Sequence, residues 1–153
     1  MRILGIDPGT GIVGFGVIEV EGFSKTMVDA GVIRTPAHQP TQQRLLTIYN
    51  EITEIIRLNR PHVMVVEQLF FARNVTTAMS VSQARGVILL AGEQTGLQLV
   101  EYTPLQIKQA LTGYGKAEKK QVQEMVKLQL KLTEAPKPDD CADALAAALC
   151  YAP

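Results

Sequence analysis

Four acidic residues sit where an acid is costly unless it is used. Asp7 closes the apolar segment that carries Ile3, Leu4 and Ile6, and Glu67 closes the unbroken apolar run Val63–Val66. One carboxylate at the end of a buried strand can simply cap the next turn; two such ends in one sheet point to a site. Asp140 and Asp143 are spaced i, i+3 and so share a helical face. The sequence from Ala142 to Leu149 is otherwise apolar and small, so this helix should pack closely on a sheet with Asp143 inside the packing face. Like charges at this spacing repel in water, and a divalent cation between them reverses that balance. Asp139 shares a face with Asp143 as well. Next to Pro138, however, it stands at the helix start, where a carboxylate stabilises the dipole with no ligand role.

Hard oxygen ligands with no nearby histidine pair suit magnesium, with manganese as a substitute, rather than zinc. Two such ions held ~4 Å apart activate a water and stabilise the leaving oxygen of a phosphodiester. That chemistry needs about four carboxylates from separate elements. The predicted activity is therefore metal-dependent phosphodiester hydrolysis, with Asp7, Glu67, Asp140 and Asp143 as both catalytic residues and metal ligands.

The elements that must position these acids follow from periodicity. Arg2–Asp7 reads as a buried strand stopped by Pro8-Gly9, Gly11–Val20 as its hairpin return, and Lys25–Arg34 as a third antiparallel strand. The period then changes. Leu45, Ile48, Tyr49, Ile52, Ile55 and Ile56 mark one face of a helix over Thr41–Leu58, with Thr41 as the expected N-cap. Val63–Val66 suits a strand covered on both faces. A helix over Val75–Glu93, a strand over Leu97–Tyr102 and helices over Pro104–Leu111, Glu118–Leu130 and Asp139–Tyr151 complete the chain. This order predicts an α/β fold, a five-stranded mixed sheet with helices on both faces, whose chemistry gathers at strand ends near a switch in strand order.

At 153 residues the chain is about one domain, burying roughly 70% of its unfolded surface. Hydrophobic residues are 46% and charged residues 20%, a balance that excludes a disordered chain. No apolar run approaches the roughly 20 residues needed to span a bilayer, and the N-terminus lacks a signal-peptide pattern, so a cytoplasmic protein with no membrane partner is expected. Cys141 and Cys150 would lie roughly 13 Å apart along one helix, too far for a disulfide. Net charge is zero, but six lysines against two glutamates between Tyr102 and Thr133 leave a local excess of four positive charges.

Five segments in order carry a family resemblance: the opening G-I-D-P-G-T, V-V-E-Q-L-F-F, S-Q-A-R-G-V, Lys116-Ala117-Glu118-Lys119, and D-D-C-A-D-A-L-A. Together, from Met1 to about Leu149, they resemble the RuvC Holliday-junction resolvases. The resemblance implies a ribonuclease H-like fold and a homodimer. It also implies metal-dependent paired nicking of opposed strands in four-way junction DNA, in recombination and repair, with the RuvA–RuvB branch-migration complex as partner. It places Asp7, Glu67, Asp140 and Asp143 on the family's four acids, Phe70 on an aromatic that contacts junction bases, and Lys108 and Lys119 on basic positions near the scissile phosphate. The chain departs from the pattern with an acid at Asp139, where a neutral residue is usual, and in stopping at Pro153 without the polar tail of some members.

The residues themselves leave alternatives beside this. Phe70 and Phe71 follow a strand end, and an exposed aromatic there would stack on a base. Lys119 and Lys120 fall in the first turn of a helix, where a cation opposes the dipole and a nearby phosphate would relieve it. Arg73 and Arg85 serve equally as DNA contacts or solvated charges. Ala78, Ser82 and Gly86 form a small-residue stripe that fits a neighbouring helix, within the chain or across a dimer axis. The D-P-G-T opening also begins actin-like ATPases, whose second phosphate-binding lobe a chain of this length lacks. A module that binds branched DNA without cutting it would tolerate loss of the acids, yet all four are present.

Overall fold

The computed structural model describes residues 1–68 and 74–153; the expectations for Phe70, Phe71 and Arg73 fall outside them. Strands β1 (Arg2–Asp7), β2 (Ile12–Glu21) and β3 (Ser24–Arg34) are followed by α1 (Thr41–Asn59), β4 (Val63–Glu67), α2 (Val75–Gln94) and β5 (Gln98–Tyr102). Helices α3 (Pro104–Thr112), α4 (Lys119–Gln129) and α5 (Asp139–Tyr151) close the chain. The strands form one mixed sheet in the order β3-β2-β1-β4-β5. The hairpins make β1, β2 and β3 antiparallel, whereas β4 and β5 return parallel through helical crossovers.

Period-two alternation sends the strand side chains to two cores. Ile3, Val63 and Val65 pack with Ile107 and Leu111 of α3, Val122 and Val126 of α4, and Leu145 of α5. Leu4, Ile6, Met64 and Val66 pack on the other face with Ile48 and Ile52 of α1 and Ala84 and Ile88 of α2. The two-sided burial explains the unbroken apolar run in β4. Among the described residues no helix is long and apolar enough to cross a membrane.

The face that matters is the one under α5. A Cβ on Gly5 would lie 2.0 Å from the Ala144 carbonyl oxygen, and one on Gly16 2.5 Å from Leu145 Cδ2. Gly5 and Gly16 are register partners, so two adjacent strands leave a groove and the alanine-rich helix lies directly on the backbone.

Local departures from the sequence reading are small. Pro40, not Thr41, occupies the N-cap of α1, and no side chain caps that helix; Thr41 is its first helical residue. Gly113 ends α3 in the left-handed conformation (φ 75°), a C-cap role. Cys141 and Cys150 are both free thiols, as their spacing required.

Candidate active site

Asp7 shares a strand face with Ile3 and Gly5, and Glu67 with Val63 and Val65, so both carboxylates turn towards α5. Strand β4 lies beside β1 in parallel register, Ile6 opposite Val66, which sets the two acids at neighbouring strand ends. The first turns of α5 bring Asp140 and Asp143 above them. The strand partner of Asp7 is Gly14, and the Asp140 carbonyl sits where a Gly14 side chain would be. All four acids expected from sequence therefore meet at one end of the sheet.

Their electrostatics record the crowding. Burial, followed by the charges of Glu67, Asp143 and Asp140, pushes the Asp7 carboxyl far above the usual carboxylate range. Burial and the Asp143 charge push Glu67 up likewise, while a hydrogen bond with Asp7 and the ammoniums of Lys108 and Lys119 work against the rise. Asp143 is raised by burial and by Asp140 and Asp139, with Lys119 opposing. Asp7, Glu67 and Asp143 thus each make ionisation of the others harder, and a nearby cation would relieve them.

Lys119 supplies part of that charge. Its Nζ stands 3.4 Å from Asp143 Oδ2 and 3.4 Å from Asp139 Oδ2. Burial alone would lower the Lys119 pKa, but the charges and hydrogen bonds of these two aspartates outweigh it and raise it. The cation in the first turn of α4 is thus relieved by carboxylates of α5, where the sequence reading invoked a phosphate. Asp139 is exposed and also accepts a hydrogen bond from Gln123 Nε2 at 3.1 Å. Lys108 of α3 joins Glu67, Lys119, Asp143 and Ile107 in lining a cleft of about 200 Å³.

Among the described residues no three His, Cys, Asp or Glu side chains stand together as a metal-holding group, and Asp143 is paired with Lys119. The donor set nonetheless fits hard divalent cations: all four groups are carboxylates, and their mutual repulsion is only partly balanced by two ammoniums.

Sequence reasoning missed the groups that hold the site from behind. The turn after Asp7 is clamped by the buried Thr35, whose backbone N–H donates to the Gly11 carbonyl at 3.0 Å and whose hydroxyl donates to the Thr10 carbonyl at 2.6 Å. Arg44 Nε donates to the same Thr35 hydroxyl at 3.0 Å, and the Thr10 hydroxyl bonds Ser80 of α2. Nothing in the local sequence around Thr35 signals this, since its partners come from two other segments, the Thr10–Gly11 turn and Arg44 of α1. Arg85 is paired with Glu101 and does not project as a free solvated charge.

The chain matches the family described as crossover junction endodeoxyribonuclease RuvC over residues 3–151. It is 59% identical to a protein of that name from Desulfitobacterium hafniense over 152 residues, covering 99% of this chain and 92% of that protein. The corresponding protein of Heliobacterium modesticaldum is 57% identical, with 99% and 94% covered. The solved structure of Thermus thermophilus RuvC in complex with Holliday junction substrate superposes with a TM-score of 0.94 at 38% identity, covering 99% of this chain and 92% of that one. The sheet order and flanking helices are accordingly those of the ribonuclease H-like fold. The acids at two neighbouring strand ends and one helix, in a chain alike to these proteins from end to end, place it in the RuvC family of crossover junction endodeoxyribonucleases.

Proposed function

We propose that the chain resolves four-way DNA junctions by hydrolysing one phosphodiester in each of two opposed strands, with Asp7, Glu67, Asp140 and Asp143 as the residues that carry the chemistry. The observation that supports this most is the meeting of Asp7, Glu67 and Asp143, half-buried carboxylates that burial and one another's charge make harder to ionise, with Lys119 at one end of the sheet. Such a site repels phosphate as it stands and accepts it once divalent cations are bound. The four carboxylates would hold magnesium, with manganese able to substitute, as two ions per site. When bound, such ions supply Lewis-acid stabilisation of the phosphodiester and a water nucleophile at neutral pH.

The chain's own groups account for the rest. Asp7 and Glu67 belong to the sheet and Asp140 and Asp143 to α5, so the ligand geometry is set by a rigid packed contact. Lys108 and Lys119 bring positive charge to the cleft wall and neutralise phosphate there. Phe70, assigned from the resemblance, and Arg73, a DNA contact or a solvated charge on the sequence reading, complete the proposed DNA-contact set.

Two opposed nicks need two sites in fixed relation, hence a homodimer. The surface that suits it is the outward face of α2, where Val75, Met79 and Leu90 are 67%, 63% and 52% exposed. On that helix Ser82 and Gly86 are exposed while Ala78 is buried against the chain's own core, so the small-residue stripe divides between the two uses. We assign the protein to the cytoplasm, acting in recombination and repair with the RuvA–RuvB branch-migration complex.

Magnesium-dependent nicking of a synthetic four-way junction, set against linear duplex of the same sequence, tests the reading. Paired nicks in opposed strands of the junction and none in duplex are expected. Equal cutting of both substrates would overturn it.

A further inference from the structure

Behind Glu67, on the face of the sheet away from the cleft, lies a polar chain of three residues. Glu101 of β5 is the register partner of Val66 and so points towards α2, as Val66 does. Its Oε1 is paired with Arg85 Nη2 from α2, and its Oε2 accepts a hydrogen bond from Gln68 Nε2 at 3.2 Å. Gln68 follows Glu67 directly, and its backbone N–H donates to the Tyr102 carbonyl at 2.8 Å. The residue after the catalytic glutamate is therefore tied to β5 at two points, one through backbone and one through side chain.

The ion pair is drawn well into the protein: the Arg85 and Glu101 side chains are 29% and 24% exposed. Arg85 Nε is shut off from solvent with no hydrogen-bond partner among the described residues. A guanidinium drawn in from solvent onto a carboxylate is not arranged as a solvated charge. A partly buried pair of this kind contributes little net stability against a hydrophobic replacement, so stability alone does not account for it.

We infer that Arg85 is a positioning residue for the cleavage reaction: through Glu101 it holds Gln68, and through Gln68 the exit of β4 on which Glu67 stands. The inference rests on the proposed nuclease reading of the four acids. Arg85 acts at the rear of the sheet, by fixing where the Glu67 carboxylate lies relative to Asp7 and Asp143. The geometric demand is steep, since a displacement of ~1 Å at a catalytic group costs about a hundredfold in rate.

The test compares Arg85→Gln, Glu101→Gln, Gln68→Ala and the Arg85→Gln/Glu101→Gln double variant with the wild-type full chain on a synthetic four-way junction. Single-turnover cleavage is measured with magnesium, and junction affinity with calcium across a salt series. Each single variant should cut about ten- to a hundredfold more slowly, and the double should cut no more slowly than its worse single, since the three residues act as one unit. Junction Kd and its salt slope should stay within twofold of wild type. Gln68→Ala keeps the Arg85–Glu101 pair intact, so it reads the positioning effect even if Arg85→Gln folds poorly.

A different pattern overturns the inference. If Arg85→Gln weakens junction binding and reduces the salt slope by about one, while Glu101→Gln and Gln68→Ala cut normally, then Arg85 contacts a phosphate. If the variants lose melting temperature but the folded fraction cuts at the wild-type rate, the chain of contacts is structural only. Failure of the underlying reading looks unlike either: Asp7→Asn would then cut as fast as wild type, whatever the other variants do.

Discussion

Gly14 lies directly beneath Asp140: a Cβ on the glycine would come within 2.0 Å of the aspartate's carbonyl oxygen. Gly14 is also the register partner of Asp7, so one of the close contacts between helix and sheet coincides with the place where their acids must meet. Gly14→Ala should lift the first turn of α5 off β2. We expect a loss of about 1–3 kcal/mol in stability from overpacking, measured by denaturant unfolding. Cleavage should fall far more than stability does, because Asp140 and Asp143 ride on the displaced turn. A Gly14→Ala protein that cuts normally would show that the spacing of α5 from the sheet is immaterial to the site.

Removing an acid removes a metal ligand and a negative charge that faces phosphate. Asp7→Asn, Glu67→Gln, Asp140→Asn and Asp143→Asn should each abolish cutting while leaving junction binding intact or tighter. Asp139→Asn should retain cutting, since Asp139 is exposed and bonds only Lys119 and Gln123 among the described residues. Dead Asp139→Asn beside active Asp140→Asn, in the same cleavage assay, would reverse the choice between these neighbours.

Raised carboxylate pKa values set the sign of a pH effect on stability. In the folded, metal-free chain Asp7 is raised from 3.8 to about 8 and Glu67 from 4.5 to about 7, both chiefly by burial. Between the unfolded and folded values the folded state binds more protons than the unfolded one, so unfolding free energy falls as pH rises through that window. Magnesium should flatten the fall by taking the place of the protons. Melting temperatures of wild type and Asp7→Asn from pH 5 to 9, in chelator and in magnesium, isolate the contribution of Asp7. A difference curve that rises with pH in chelator would contradict the burial of these acids.

The outward face of α2 offers a direct test of the dimer. Met79→Glu places a carboxylate among Val75, Ser82 and Gln83, which line a shallow groove there with Ala78. An unpaired charge in a covered interface costs about 3–5 kcal/mol, so the dissociation constant of a dimer built on this face should rise about a hundredfold or more. Sedimentation across micromolar concentrations reads it. A variant as dimeric as wild type would move the interface elsewhere.

Much of this site was legible in the chain itself. The strand-end positions of Asp7 and Glu67 and the i, i+3 spacing of Asp140 and Asp143 follow from local periodicity, as do the strand and helix order that makes the sheet mixed. Five motifs in order named the family. All of these are properties of contiguous segments, where side-chain direction is dictated by a period of two or 3.6. What only the tertiary structure decided lies between segments distant in sequence. Gly14 reads as a gap in an alternating strand until α5 is seen on top of it. Thr35 reads as a loop residue until Thr10, Gly11 and Arg44 close around it. Lys119 reads as a cation misplaced at a helix start until Asp139 and Asp143 arrive to meet it, and Arg85 as a surface charge until Glu101 and Gln68 claim it. Sequence periodicity states which way a side chain points; packing alone states what stands opposite, and the electrostatics of a buried acidic site depend on the second.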